Sequence, residues 1–240
     1  MRKPSALVIS PHLDDAVFSC GELMAALPGA LVITALAGLP PVAMSAPPWD
    51  ATAGFASARQ AVLARREEDR IGLAMLEAQP LWLDYLDGQY GTSPSQAALA
   101  EALSAVLLTL TDSLVLAPAG LHHSDHGIVH AACAVVWERD SARPWFFYED
   151  AIHRRTPGAL DRQLATWNDA GIVATLAAPS GLRSLPVTKL RKARAVAAYA
   201  SQYPLFGGEQ LADLTAPERY WQWERRHWAT ARASVTTACA

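Results

Sequence analysis

Two clusters in this chain combine imidazole with carboxylate. Ser10-Pro11-His12-Leu13-Asp14-Asp15 follows the apolar run Ala6 to Ile9, and His122-His123-Ser124-Asp125-His126 follows the apolar run Ser113 to Ala117 and a Pro-Ala-Gly turn. Neutral imidazole and carboxylate together suit zinc, and a catalytic zinc takes three protein ligands while leaving a position for water or substrate. His12, Asp15 and His126 supply such a set. His12 and Asp15 lie three residues apart across an expected strand-to-helix turn, so their side chains converge from one corner, and His126 arrives from a separate loop. Asp14 is left with no coordination duty, and a carboxylate there can accept a proton from a water whose pKa the metal lowers to about 7.

Each cluster also has a plainer reading. Asp14 and Asp15 suit a helix N-terminus, where a carboxylate contributes about 0.3–1 kcal/mol, although one aspartate suffices for that. The histidines suit an exposed polar loop. Two clusters at two strand ends favour chemistry over both.

The elements that must position these residues follow from the apolar pattern. Runs at Ala6 to Ser10, Leu31 to Ala37, Leu81 to Leu83, Leu114 to Ala117 and Trp145 to Tyr148 predict strands. They alternate with helical patterns expected over Asp15 to Leu27, Phe55 to Glu77, Ser95 to Leu110, His126 to Arg139 and Lys189 to Tyr203. This alternation predicts a three-layer α/β/α, Rossmann-like fold with a mostly parallel sheet, in one domain spanning residues 1–240. Ligands gather at the carboxyl ends of strands in such sheets, where both clusters fall. A further helix is expected over Gly158 to Trp167 and a short strand over Ile172 to Leu176. Four prolines between Leu39 and Asp50 make that segment a loop, which can form one wall of a cleft. Trp221, Trp223 and Trp228 are expected on a final helix, packing its inner face or joining an oligomer contact, so a homo-oligomer stays open.

Composition narrows the function classes. With 240 residues, 51% of them hydrophobic, the chain can bury a substantial core. Twenty basic against 23 acidic residues leave a formal charge of -3, with no general pull toward phosphate backbones or anionic membranes, so no nucleic-acid partner is expected. Cys20, Cys133 and Cys239 are far apart and indicate neither a disulfide framework nor a thiolate zinc site. Their usage suits a reducing cytoplasm. The apolar run after Met1-Arg2-Lys3-Pro4 is too short for a signal-peptide core, and Gly38 and Pro40-Pro41 stop the run from Leu31 well short of a membrane span. A soluble, cytoplasmic protein with no membrane partner is expected.

The two clusters resemble the motifs of the PIG-L/LmbE-like zinc-dependent N-deacetylases. Pro11-His12-Leu13-Asp14-Asp15-Ala16 is similar to the family's Ala/Pro-His-Pro-Asp-Asp-Glu, and His123-Ser124-Asp125-His126 to its His-Pro-Asp-His. The resemblance implies that His12, Asp15 and His126 bind zinc, or another divalent transition metal, and that Asp14 is the general base. It also implies that His123 is the charged imidazole that stabilises the oxyanion and helps protonate the departing amine, with Asp125 orienting it. Arg65-x-x-Glu68 followed by Leu76 is similar to the family's Arg-x-x-Glu helix, which implies that Arg65 lies near the substrate's polar groups. From the residues alone, Arg65-Arg66-Glu67-Glu68 is a solvated face with ion pairs of a few tenths of a kcal/mol each. Lys192-x-x-Ala195-x-x-x-Tyr199-x-Ser201-Gln202 resembles a late helix of the family, and its apolar positions read as core packing.

Leu13, Ala16 and Ser124 depart from the family's pattern without removing a proposed ligand, base or acid. Ala16 does remove a carboxylate that could tune a neighbouring side chain. His122, His130, His153 and His227 have no assigned partner; His130, four residues after His126, is the best substitute ligand. The activity implied is removal of an acetyl or similar acyl group from an amide nitrogen, with an N-acetylglucosamine-type sugar or glycoconjugate as the small-molecule partner. Magnesium-dependent phosphoryl chemistry is an alternative, since paired aspartates also hold magnesium, but the histidines argue against a cation that prefers oxygen ligands. A non-catalytic carbohydrate-binding protein is a third reading, disfavoured by a base and an acid beside the ligands. Trp49, Trp82, Tyr85, Tyr90, Trp145, Phe146, Phe147 and Tyr148 read as core, with Trp49, in the proline-rich loop, the exception that can serve as a sugar platform.

Overall fold

The computed structural model describes residues 3–110, 113–182 and 184–226. In chain order the elements are β1 (Ala6–Ser10), α1 (Asp15–Ala26), β2 (Leu31–Thr34), α2 (Pro48–Thr52), α3 (Ala58–Met75), β3 (Gln79–Trp82), α4 (Gln96–Leu108) and β4 (Leu114–Pro118). They continue with α5 (Ser124–Arg139), β5 (Trp145–Tyr148), α6 (Ala159–Asp169), β6 (Ile172–Leu176), α7 (Pro186–Val196), α8 (Gly208–Asp213) and β7 (Tyr220–Arg225). Two boundaries are fixed by serine caps. Ser57 Oγ accepts the Gln60 N–H at 3.2 Å and Ser95 Oγ the Ala98 N–H at 3.2 Å, each satisfying a donor that the first helical turn leaves open.

The strands form one sheet in the order β3-β2-β1-β4-β5-β7-β6. The pairs from β3 through β5 are parallel, with Leu7 opposite Leu31 on one side of β1 and Val115 on the other. Period-two alternation divides each buried strand between two cores. Val8, Val32, Leu116 and Tyr148 face a core shared with Val17 and Leu73 of α1 and α3 and Val196 of α7. Leu7, Ile33, Val115 and Phe147 face the other, shared with Leu103 of α4, Val129 of α5 and Trp167 of α6. The architecture is therefore the expected three-layer α/β/α with a mostly parallel sheet.

The expected final helix is a strand instead. Tyr220–Arg225 forms β7, antiparallel to both β5 and β6. Tyr220 and Trp223 are buried while Gln222 and Glu224 are exposed. Aromatic residues favour such a half-buried pleated surface, and that preference decides the element. Trp228 lies outside the described residues. The proline-rich segment also gains structure, since it contains α2 and an isolated bridge from Ser45 to Ser57. Among the described residues, no helix is long and apolar enough to cross a membrane.

In this strand order β1 lies between β2 and β4, so the chain turns in opposite directions along the sheet on leaving β1 and β4. The crevice outside the carboxyl ends at such a switch point is the usual ligand site of open α/β sheets. His12 and His126 both emerge there.

Candidate metal centre

Serine, not aspartate, caps the first helix of the site. Ser10 Oγ donates to the His12 carbonyl at 2.7 Å and accepts the Ala16 N–H at 3.0 Å. Asp14 makes no side-chain capping bond. The plain capping reading therefore does not explain the aspartate pair: Asp14 is left buried against the cleft, and Asp15 Oδ2 accepts the His12 N–H at 2.8 Å. The second cluster rests on a tight turn after β4. Gly120 has φ +78°, and a Cβ there would lie 2.6 Å from the His130 Cβ, so a larger residue would displace α5. His123 stands at the N-cap of α5, its Nδ1 accepting the Asp125 N–H at 3.3 Å.

These turns bring His12, Asp15 and His126 together, with one potential ligand atom from each within 4.8 Å of the others. Asp15 Oδ2 is 3.3 Å from His12 Nδ1 and 3.3 Å from His126 Nε2. His126 is fully buried, and its Nε2 has no hydrogen-bond partner. The other nitrogens are held by carboxylates. His126 Nδ1 meets Asp150 Oδ1 at 2.6 Å, and His12 Nε2 meets Asp125 Oδ2 at 3.2 Å. Carboxylates placed behind metal-ligating histidines fix their tautomer and orientation in this way. An orphaned buried nitrogen beside a carboxylate, in a set of two imidazoles and one carboxylate, fits a divalent transition metal.

The electrostatics are those of a site short of positive charge. Burial raises the Asp14 pKa to about 8, reinforced by the negative charge of Asp15. Burial acts the same way on Asp15, yet His126 and His12 outweigh it and hold that carboxyl well below the usual range. Burial would lower His12, but its contacts with Asp125 and Asp15 raise it; His126 is likewise raised by Asp15 and Asp150 against its own burial. A cation among these groups would stabilise the ionised carboxylates and compete with protons on both imidazoles.

Other expected residues sit differently. The Asp125 carboxylate makes no hydrogen bond to the His123 ring, although one potential ligand atom of each lies within 4.8 Å of the other and of His12. It faces His12 Nε2, accepts the Gly88 N–H at 2.9 Å and the Ser93 hydroxyl at 3.4 Å, and only its backbone N–H reaches His123. Burial would raise its pKa, but His12 and Gly88 hold it at about 2. Arg65 lines the cleft with its charge already engaged: Nη2 lies 2.6 Å from Asp50 Oδ1, and Nη1 donates to the Tyr90 hydroxyl at 3.1 Å. Of the charges around it, Glu67 with Arg70 is the solvated pair, whereas Glu68 accepts both the N–H and the hydroxyl of Ser201 at 2.8 Å. His130 has no nitrogen to spare for a metal. Its Nδ1 meets the Pro118 carbonyl at 2.8 Å and must donate to it, while its Nε2 accepts the Trp167 N–H at 3.0 Å.

Two residues of the site escaped the sequence reading. Asp150 also accepts the Leu121 N–H at 2.9 Å, tying the ends of β4 and β5 together. Its signal was present, since Glu149-Asp150 directly follows a strand just as Asp14-Asp15 follows β1. His153, on the turn after β5, places its ring 4.5 Å from that of His126 and 5.7 Å from that of His123. Burial and His126 lower its pKa to about 4. His12, Asp14, Asp15, Arg65, His123, Asp125 and His153 line a cleft of about 570 Å³, which also has Trp49 and Phe206 in its lining. His227 and Cys239 lie outside the described residues.

Residues 7–137 match the family model described as PIG-L, GlcNAc-PI de-N-acetylase. The chain belongs to this family. The 2'-N-acetylparomamine deacetylase of Streptomyces fradiae is 30% identical over 193 residues, which span 72% of this chain and 66% of that protein. The zinc-inhibited form of teicoplanin deacetylase superposes with a TM-score of 0.70 at 25% identity, over 92% of this chain and 98% of the other. The A40926 pseudoaglycone deacetylase gives a TM-score of 0.70 at 25% identity, over 95% and 100% of the two chains. The PIG-L match covers both histidine clusters and ends before Asp150 and His153.

Proposed function

We propose that this PIG-L family member is a zinc-dependent hydrolase that removes an acetyl or similar acyl group from the amide nitrogen of an N-acetylglucosamine-type sugar or conjugate. The observation that carries this reading is the buried, unpartnered Nε2 of His126, turned toward Asp15 and His12 beside an uncapped carboxylate, Asp14. Similarity to deacetylases of N-acetylparomamine and teicoplanin supports a sugar-bearing substrate.

His12, Asp15 and His126 would hold the metal, with Asp150 and Asp125 keeping the two imidazoles in their ligating tautomers. A zinc ion at that donor set supplies Lewis acidity to the acyl carbonyl and lowers the pKa of a water. Asp14 takes the proton of the attacking water as the oxygen bonds to the acyl carbon. Burial and Asp15 raise its pKa, and a cation in the donor set would favour its ionised form, the state that can take that proton. His123 is the donor to the developing oxyanion and passes a proton to nitrogen as the C–N bond breaks, releasing acetate and a free amine. Burial, His12 and His126 lower its pKa. Its protonated form is therefore a stronger acid toward the departing nitrogen, and the proton that Asp14 took from the water replaces the one it gives up.

Magnesium-dependent phosphoryl chemistry is disfavoured by the two imidazole nitrogens of the donor set, since magnesium keeps oxygen ligands and water. The test is acetate release by zinc-loaded protein from N-acetylated amino sugars and their conjugates. Asp14→Asn should keep fold and metal while turnover falls by about 10²–10⁴-fold. Turnover equal to wild type rejects the base, and metal analysis showing magnesium without a transition metal rejects the zinc.

A further inference from the structure

The proline-rich segment is a rigid wall that displays one aromatic. Ala58 N–H donates to the Met44 carbonyl at 3.2 Å, and α2 carries Asp50 inward until none of it is exposed. There Asp50 Oδ2 accepts the Tyr90 hydroxyl at 2.8 Å, its Oδ1 meets Arg65 Nη2 at 2.6 Å, and Arg65 reaches the same tyrosine. Removing one member of a buried charge pair leaves the other uncompensated, so this closed triangle fixes α2 firmly.

The preceding residue, Trp49, is 40% exposed and lines the same cleft as His12, Asp14 and Asp15. Trp137, Trp145, Trp167 and Trp223 are by contrast buried. The Trp49 ring lies 6.0 Å from that of Phe206, which is 5.9 Å from the buried Phe18 ring, so the exposed indole has aromatic support behind it. Gln89, Gln202 and Gln210 line the cleft as well. Neutral amides around an aromatic face suit a hydroxylated ring with an apolar C–H face. Gln89 and Gln202 engage their Nε2 with Asp87 and Leu13, and Gln210 its Oε1 with Gly207, so one amide atom of each remains for a ligand hydroxyl, which a bare acyl chain could not supply.

Resting on the reading of the site as an amino-sugar deacylase, the structure assigns Trp49, backed by Phe206, as a specificity-determining platform for a second sugar ring joined to the reacting one. Arg65 then acts as the positioning residue of that platform, holding α2 through Asp50.

Calorimetric binding to zinc-loaded Asp14→Asn protein tests this without turnover, using methyl N-acetyl-β-glucosaminide as the one-ring probe and N,N'-diacetylchitobiose as the two-ring probe. The two-ring ligand should bind about tenfold tighter, equivalent to about 1.4 kcal/mol. Adding Trp49→Ala should bring the ratio close to one, and Trp49→Phe, which keeps an aromatic face, should retain most of it. Equal affinities in the parent, or a ratio that Trp49→Ala leaves intact, overturns the platform while the deacylase reading stands. A gain seen with N-octanoylglucosamine but not with the second ring, and removed by Trp49→Ala, gives the wall to an acyl chain and overturns it too. Failure of both sugar probes to bind at millimolar concentration overturns the amino-sugar reading and the platform together.

Discussion

Asp150 and Asp125 hold the far nitrogens of the two central imidazoles, so the affinity of the site for a cation depends on them as well as on its ligands. Loss of such an outer carboxylate typically weakens metal binding about 10–100-fold. Asp150→Asn should therefore lower zinc affinity by that factor in competition with a chelator; unchanged affinity would show that His126 needs no such partner. Asp125→Asn separates two roles. Weaker zinc binding follows if it acts through His12, at 3.2 Å, whereas unchanged binding with lower turnover follows if it acts through His123. At this scale His12, Asp14, Asp15 and His126 were legible because each stands in a dense polar cluster after an apolar run. Asp150 and His153 come from a third strand end, where Glu149-Asp150 and a single histidine form a sparser cluster than the other two. Their partners lie far along the chain, where spacing carries no information.

The turn after β5 shows how an element far from the clusters shapes the site. Ile152 takes φ 64°, a left-handed conformation costly for a β-branched residue, immediately before His153. Asp213, at the end of α8, holds this turn: it accepts the Ile152 N–H at 2.8 Å, Arg154 Nε at 3.0 Å and Arg155 Nε at 2.8 Å. Burial alone would raise the Asp213 carboxyl, but Arg154 and Arg155 keep it below the ordinary value. Asp213→Asn should cost about 3 kcal/mol at pH 7. A depressed carboxyl contributes stability above its unfolded pKa of about 3.9 and loses it as pH falls through the folded value. The gap between wild type and Asp213→Asn in urea unfolding should thus shrink on going from pH 7 to pH 3; a constant gap contradicts the ion-pair account. Neither α8, only six residues long, nor this turn has a periodic pattern to read.

Across the whole molecule, five parallel strands build the crevice, and β7 extends the sheet with β6 beyond it. Trp223 of β7 stacks on Phe147 of β5 at 3.6 Å between ring centroids, and its indole N–H has no partner. Trp223→Ala should lower stability by about 3–5 kcal/mol. Trp223→Phe keeps a stacking ring and removes an unpaired donor, so it should cost less than about 1.5 kcal/mol by thermal unfolding. Equal losses in the two variants would mean that the stack contributes nothing. The parallel strands were legible because runs such as Leu7 to Ile9 are apolar on both faces, as a sheet covered by helices requires. The neighbours of each strand were not, because periodicity fixes which face a residue takes but not which strand lies beside it. β7 was not legible because Trp221 and Trp228, seven apart, fit one helix face as readily as Trp221 and Trp223, two apart, fit one face of a strand.

The most direct test is diffraction at the zinc absorption edge from crystals of the zinc-loaded protein. A single anomalous peak about 2.0–2.2 Å from a nitrogen of His12, an oxygen of Asp15 and Nε2 of His126, with Asp14 left unbound, is expected. A zinc peak elsewhere, or one lacking either histidine, contradicts the shared metal centre on which the catalytic reading stands.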